Sequence, residues 1–292
     1  MNIHTIILAA GEGSRMKSDK AKSLQRIGGT SMLEKICKTA GSISSKITIV
    51  VGYDKKSVIN ESKGYIQDIM ISEQHKPIGT ADAVKCAIES VEDSSKVLVL
   101  YGDVPLIKKE TLQKLISASE NGPSILTTTV DNPFGYGRVK KDNHESAIAI
   151  VEEKDASDDE KEIKEIFTGV LCISKNLLKK GLSKINNDNV AGEFYLTDIV
   201  SIISNEGIKI KTCLTSNNEV KGANTKHELA ELETIYRQMK AKDILDQGIT
   251  VADPTRLDVR GSVSSGKDCF IDINVILEGN VELGNNVSIG PN

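Results

Sequence analysis

No run of apolar residues in the chain approaches the ~18 that a membrane-spanning helix needs, which excludes a span on this reading. The N-terminal apolar run is shorter still, and the Gly-Glu-Gly after it is no cleavage site, so a secretory leader is not expected either. Charge of one sign is not in excess: 37 Lys and Arg against 41 Asp and Glu leave a net charge of −4. That balance argues against nonspecific nucleic-acid binding and gives no reason to expect attachment to an anionic membrane. Cysteine pairs are missing. Cys37, Cys86, Cys172, Cys213 and Cys269 are odd in number, far apart and free of any Cys-x-x-Cys spacing, which reads as reduced structural thiols in a cytoplasmic protein. His4, His75, His144 and His227 show no ligand spacing, so a zinc site is not expected. The remaining composition, 39% hydrophobic and 27% charged over 292 residues, is that of a soluble globular chain of one large or two smaller domains.

What is present begins at once. Ile6-Ile7-Leu8-Ala9-Ala10 runs into Gly11-Glu12-Gly13-Ser14-Arg15-Met16, and Lys22 follows six residues later. An apolar strand ending in a Gly-rich turn with basic residues behind it is suited to polyphosphate: the backbone can come close, N–H groups face the anion, and Arg15 and Lys22 bring positive charge. The spacing fits neither the Walker loop nor the dinucleotide fingerprint.

From residue 3 to about 130, apolar strand candidates alternate with helical patterns. The strands are Ile3 to Ala9, Ile47 to Val51, Ile66 to Ile71, Val97 to Tyr101 and Ser124 to Val130; the helices lie around 31–40, 80–90 and 109–118. This predicts an α/β fold with a mostly parallel sheet covered on both faces, whose ligands bind beyond the carboxyl ends of the strands. Asp131 to about Asn224 is less regular, and its acidic stretch Glu152 to Glu165 reads as a solvated face. Residues 225–247 read as one helix with a narrow stripe of Leu229, Leu232, Ile235 and Met239, stopped by Gly248.

The tail carries a second signal. Leu257, Val263, Cys269, Val275, Val281 and Val287 recur every six residues, with a companion series Val259, Ile271, Leu277, Leu283 and Ile289 broken only by Ser265. That period predicts the start of a left-handed parallel β-helix. The chain stops at Pro291-Asn292 after about two coils. The expectation is a shortened piece of a longer protein, or a stub completed by oligomerisation.

In order along the chain stand Leu8-Ala9-Ala10-Gly11-Glu12-Gly13-Ser14-Arg15-Met16, Lys22, Gln74, Gly79-Thr80-Ala81, Tyr101-Gly102-Asp103-Val104-Pro105-Leu106, Gly135-Tyr136-Gly137-Arg138, Glu152-Glu153-Lys154-Asp155, Gly192 to Asp198 and Gly222-Ala223-Asn224. The first loop resembles that of sugar-1-phosphate nucleotidyltransferases. With the long helix and the six-residue repeat, the whole set resembles the bacterial bifunctional N-acetylglucosamine-1-phosphate uridyltransferase/glucosamine-1-phosphate acetyltransferase family over essentially the entire chain. The resemblance implies a Rossmann-like nucleotidyltransferase domain over 1–224, a linker helix over 225–249 and hexapeptide-repeat β-helix over 250–292.

It also implies an activity: transfer of UMP from UTP to N-acetyl-α-D-glucosamine 1-phosphate, for peptidoglycan precursors, in the cytoplasm. Arg15, Lys22 and Asp103 would be catalytic. Leu8, Ala9, Ala10, Gly11, Gly13, Lys22, Gln74, Gly79, Thr80, Tyr101, Gly102 and Asp103 would hold the nucleotide, with Gln74 and Gly79-Thr80 at the uracil edge. Gly137, Glu152, Tyr195 and Thr197 would hold the sugar, and Asp103 with Asn224 would hold Mg²⁺. Such chemistry joins two polyanions, so it needs cations and a metal more than a general base. Family members trimerise through the β-helix; so short a tail leaves a monomer and a weak homotrimer both open. Their acetyltransferase residues lie on later coils, so no acetyl transfer is expected of this chain.

Three positions depart from the family pattern. Ala21 replaces a proline and Ser23 a valine beside the loop lysine. Phe167, in Glu165-Ile166-Phe167-Thr168-Gly169, replaces an asparagine that contacts the N-acetyl sugar. A site that loses a polar contact loses discrimination, which keeps open a different sugar phosphate. The shortened tail and altered sugar position also keep open a noncatalytic nucleotide-binding or assembly subunit.

Overall fold

The computed structural model describes residues 2–66 and 68–292. They fall into two units, one running to Leu24 and resuming over Leu33–Lys221, the other made of Gln25–Met32 and Gly222–Asn292.

The first unit is organised by the strand Ile3–Ala9, buried at all seven positions. Because side chains alternate across a strand, Ile6 and Leu8 enter one core while Ile3, Ile7 and Ala9 enter another on the opposite face. Polar residues in this strand are accommodated by pairing: His4 Nε2 and Thr48 Oγ1 lie 2.7 Å apart. Burial also pushes the His4 imidazole below its ordinary pKa.

Among the described residues, nine strands form one sheet. Seven lie side by side in the order Lys211–Leu214, Ser124–Thr129, Glu165–Ser174, Lys96–Tyr101, Ile3–Ala9, Lys46–Val51 and Ile69–Glu73. Glu165–Ser174 runs antiparallel to both neighbours, and the other pairs along this path are parallel. The hairpin Arg138–Lys141 with Ala147–Val151 joins through Ile166 opposite Arg138. The helices Met32–Gly41, Thr80–Ile88 and Lys109–Ala118 form where apolar periodicity predicts them.

One strand differs from the sequence reading. The expected run Ile66 to Ile71 becomes Ile69–Glu73, and Gln67 lies outside the described residues. Asp68 has φ 59°, a left-handed conformation that cannot continue a strand, while Ile66, partly buried, packs against the core.

Four parallel strands bring their carboxyl ends to one edge. The turns beyond them are joined by backbone hydrogen bonds: Gly102 N–H donates to Leu8 O (2.9 Å), Tyr53 N–H to Ala10 O (3.2 Å) and Gln74 N–H to Val51 O (2.8 Å). This is the edge at which open α/β sheets hold ligands.

The second unit is built on the helix Lys226–Asp246, opened by a capping box between Thr225 and Glu228. Its buried positions are Leu232, Tyr236, Ala241 and Ile244, while Leu229, Ile235 and Met239 of the expected stripe are only partly covered. The stripe turns toward Tyr236 because the two-stranded ribbon Arg26–Ile27 with Thr30–Ser31 packs on that face. Gly28 N–H donates to Glu233 Oε2 (2.9 Å), and Lys226 Nζ donates to Gln25 Oε1 (2.5 Å).

In the tail, Leu257–Ser265 pairs in parallel with Val275–Leu283, Leu257 facing Val275 across 18 residues. Thr250–Val251, Phe270–Ile271 and Ser288–Ile289 stack in the same sense. The six positions of the six-residue series and the five of its companion all belong to one apolar cluster or pack against it. Hydrogen bonds recur at the same offset, as from Ser262 Oγ to Asn280 Oδ1 (2.8 Å). Among the described residues no helix is long and apolar enough to cross a membrane.

The turn Gly28-Gly29 has positive φ at both residues, and a Cβ on Gly28 would overlap the Tyr236 ring. We therefore expect Gly28→Ala to destabilise the protein by about 1–3 kcal/mol through backbone strain and displacement of the ring. Urea titration checks this; an unchanged midpoint would show that the ribbon does not need glycine there.

Candidate active site

The turn after Ile3–Ala9 is shaped by Gly13 and Met16. Gly13 has φ 65°, and an added Cβ would come within 2.7 Å of Lys22 Cβ. Glycine there lets the turn close over the lysine. Met16, fully buried, anchors the short 3₁₀ turn Ser14–Met16, and its N–H donates to Gly13 O (2.8 Å). Arg15 on that turn is exposed.

Lys22 opens a second 3₁₀ turn, Lys22–Leu24, and forms an ion pair with Asp103 beyond the strand Lys96–Tyr101. Ala21 is buried, and its N–H donates to Asp54 Oδ2 (3.4 Å). A proline could not make that bond. The loop is thus tethered by a hydrogen bond where the resemblance expects a ring. Ser23 is buried, and its hydroxyl has no hydrogen-bond partner among the described residues.

Opposite stand Gln74, Gly79 and Thr80. Gln74 is buried, and its Nε2 donates to Gly79 O (3.0 Å) and Asp82 Oδ2 (2.9 Å). Gly79 has φ 135°, and a Cβ there would overlap the Phe194 backbone. The close approach is tied by Phe194 N–H to Ile78 O (2.9 Å), Ala81 N–H to Phe194 O (3.0 Å) and Leu196 N–H to Thr80 Oγ1 (3.0 Å).

Leu8, Ala9, Ala10, Gly11, Lys22, Gln74, Gly79, Thr80, Tyr101 and Asp103 line a single cavity of about 260 Å³. Gly13 and Gly102 stand outside its lining, Gly13 against Lys22 and Gly102 against Ala9 and Ser23. Ser23, Pro77, Ala83 and Glu193 also line it without having been assigned a role from sequence. The Gly192 to Asp198 motif signals Glu193. Pro77 and Ala83 carry no chemical signal of their own.

Beside the cavity, Thr197 Oγ1 donates to Glu152 Oε1 (2.9 Å). A Cβ on Gly137 would come within 2.7 Å of Ile150 Cγ2 and 3.4 Å of Glu152 Oε1, so glycine is what lets these strands approach. Arg138, 2% exposed, fixes the preceding turn by donating to Tyr136 O (2.5 Å) and pairing with Glu153 (2.5 Å). Burial raises the pKa of Glu152, and the Asp198 and Asp155 carboxylates push it the same way. Tyr195 is raised by burial and by Glu193, Glu152, Asp155 and Asp198, which marks this flank as acidic. Tyr101 links the two groups: burial, then Asp103 and Glu152, push its phenol up, so it stays a neutral hydroxyl.

Phe167 is 6% exposed and belongs to the apolar core, so its ring fills space rather than facing a ligand. Asn224 lies in the second unit, where its N–H donates to Glu228 Oε2 (2.5 Å). Among the described residues no group of three or more His, Cys, Asp or Glu side chains is arranged to hold a metal. A carboxylate at the cavity wall, as Asp103 is, suits a hard cation that completes its shell with phosphate oxygens and water.

A family model of the MobA-like NTP transferase domain matches residues 5–182. A bifunctional protein GlmU of Psychrobacter sp. (strain PRwf-1) is 45% identical over 287 residues, covering 98% of this chain and 63% of that protein. GlmU of Methylococcus capsulatus is 44% identical, covering 100% of this chain and 64% of that protein. GlmU of Neisseria meningitidis serogroup B is 40% identical, covering 99% and 63%. The chain therefore spans about 63–64% of the length of these curated relatives. A crystal structure described as a putative glucose-1-phosphate thymidylyltransferase from Bacillus anthracis in complex with a sucrose matches with a TM-score of 0.64 at 19% identity. It covers 79% of this chain and 94% of that one, a likeness that shows the fold alone.

The raised pKa of Glu152 has a consequence for stability. A carboxyl raised in the folded state holds its proton longer than in the unfolded chain, so its contribution is fully present at low pH and is lost as pH rises through the folded pKa. Glu152→Gln, which carries no charge, is therefore expected to raise the thermal midpoint at pH 7–8 and to give no gain below about pH 4, where model carboxyls are protonated. Thermal melts across that range check it; an equal gain at both ends would show that charge burial is not the cause.

Proposed function

The chain belongs to the MobA-like NTP transferase family, and from that premise we propose that it transfers UMP from UTP to N-acetyl-α-D-glucosamine 1-phosphate. The sugar-phosphate oxygen attacks the α-phosphorus, the bond to the β-phosphate breaks, and pyrophosphate leaves with UDP-N-acetylglucosamine formed. The observation that carries this reading is the Lys22–Asp103 pair in the wall of the cavity lined by the glycine turn, Gln74 and Gly79-Thr80.

Each residue then has a task. Lys22 and Arg15 balance the triphosphate and the charge that develops as pyrophosphate departs. Members of this family generally use a divalent metal; we read it as Mg²⁺, which would be held by Asp103 and would supply charge neutralisation at the phosphates. The Gln74 carbonyl oxygen accepts from uracil N3–H while Gly79 N–H donates to O4. Cytosine presents the opposite pattern at those two atoms. Glu152 accepts from sugar hydroxyls, Thr197 holds its carboxyl in place, Gly137 leaves room for the ring, and Tyr195 closes the same flank. The product feeds peptidoglycan precursor synthesis in the cytoplasm. Residues 250–292 read as the start of a left-handed β-helix, which leaves a monomer and a weak homotrimer through this tail both open.

A second reading keeps the reaction and changes the sugar. It is favoured by Phe167, whose buried ring provides no hydrogen bond where the resemblance expects an amide.

Pyrophosphate release from UTP, Mg²⁺ and N-acetylglucosamine 1-phosphate tests the main reading. We expect sugar-dependent release that falls by about 10²–10³-fold in Asp103→Ala and in Lys22→Ala, the scale of losing one charge-stabilising group. Release with another sugar phosphate alone would select the second reading. UTP binding without turnover on any sugar phosphate would leave only a binding protein.

A further inference from the structure

Gln74 presents its side chain to the cavity from the end of the strand Ile69–Glu73. A primary amide can offer either its carbonyl oxygen or its NH₂ after a half-turn about its last torsion, with almost no change of shape. An amide free to turn is therefore a poor reader of a pyrimidine: its oxygen suits uracil N3–H, and its NH₂ suits the bare N3 of cytosine. In this protein the choice is made by the amide's own partners. Nε2 donates to Gly79 O at 3.0 Å and to Asp82 Oδ2 at 2.9 Å. Both partners are acceptors, so the NH₂ must face them, and Oε1 is the end left for the cavity.

Gly79 O is a weak guard by itself, because that carbonyl also accepts from Ala83 N–H at 3.3 Å at the head of the helix Thr80–Ile88. The carboxylate of Asp82, on the first turn of the same helix, is the stronger acceptor, since hydrogen bonds to a charged oxygen exceed neutral ones. We propose that Asp82 is a positioning residue that locks the Gln74 amide with its oxygen toward the base and thereby sets the preference for uridine over cytidine nucleotides. This rests on the reading of the cavity as a UTP site. Asp82 does not touch the base; it acts through Gln74.

An acidic residue in the first turn also favours the helix through its dipole, so loss of stability cannot serve as the readout. The test is the ratio of UTP to CTP affinity, measured by calorimetric titration of the full chain with Mg²⁺, for the wild type, Asp82→Asn and Asp82→Leu. Asn keeps an acceptor oxygen at nearly the same place, and Leu removes it at similar volume. We expect the ratio to fall about tenfold in Asp82→Leu, the scale of one hydrogen bond to a charged group. Asp82→Asn should keep most of the preference, and kcat at saturating UTP should stay within about twofold in both. A Leu variant that keeps the wild-type ratio, or Asn and Leu variants that lose it equally, would overturn the role of Asp82 and leave the UTP site standing. A wild-type protein that binds UTP and CTP alike would overturn the reading of the base site and this proposal with it.

Discussion

The molecule is governed by one constraint: the strand Ile3–Ala9 has no face left for solvent. With both faces buried, it sits inside a sheet with cover on each side, and its neighbours Lys46–Val51 and Lys96–Tyr101 run parallel to it. Chain reversal then happens at the carboxyl edge, where turns cannot be apolar and their backbone groups still need partners. The bonds from Gly102 to Leu8 and from Tyr53 to Ala10 meet that need and bring Lys22, Asp103 and Gln74 to one cavity. The chemistry of the site is thus a by-product of how a buried strand must end.

Much of this was legible because it depends on local pattern. Continuous apolar runs announce buried parallel strands, and the six-residue repeat of Leu257 to Val287 appears in the structure as an apolar cluster beneath strands paired 18 residues apart. Gly11 of the glycine turn lines one cavity with Tyr101 and Asp103, while Gly13 and Gly102 stand behind that lining. What stayed hidden depends on contacts between distant parts of the chain. Gln25–Met32 reads as part of the first domain, yet it belongs with the long helix, because Glu233 and Tyr236 receive Gly28. The same contact explains why the covered stripe of that helix centres on Tyr236 rather than Ile235.

Two smaller misses have different origins, one a distant contact and one a local backbone conformation. Asp82 looks like an ordinary first-turn acid, and only the fold reveals that its carboxylate meets the Gln74 amide. Ile66 looks like the start of a strand, but left-handed Asp68 delays the strand to Ile69. Conversely, Ala21 reads as a simple loss of rigidity. In place it supplies an N–H to Asp54, so the substitution changes the kind of tether rather than removing it.

The ion pair between Lys22 and Asp103 makes ligand binding an exchange rather than an addition. On the proposed reading the triphosphate takes the lysine and the metal takes the carboxylate, so each ligand competes with one half of the pair. In linkage terms, whatever factor the nucleotide applies to the metal's affinity, the metal applies to the nucleotide's.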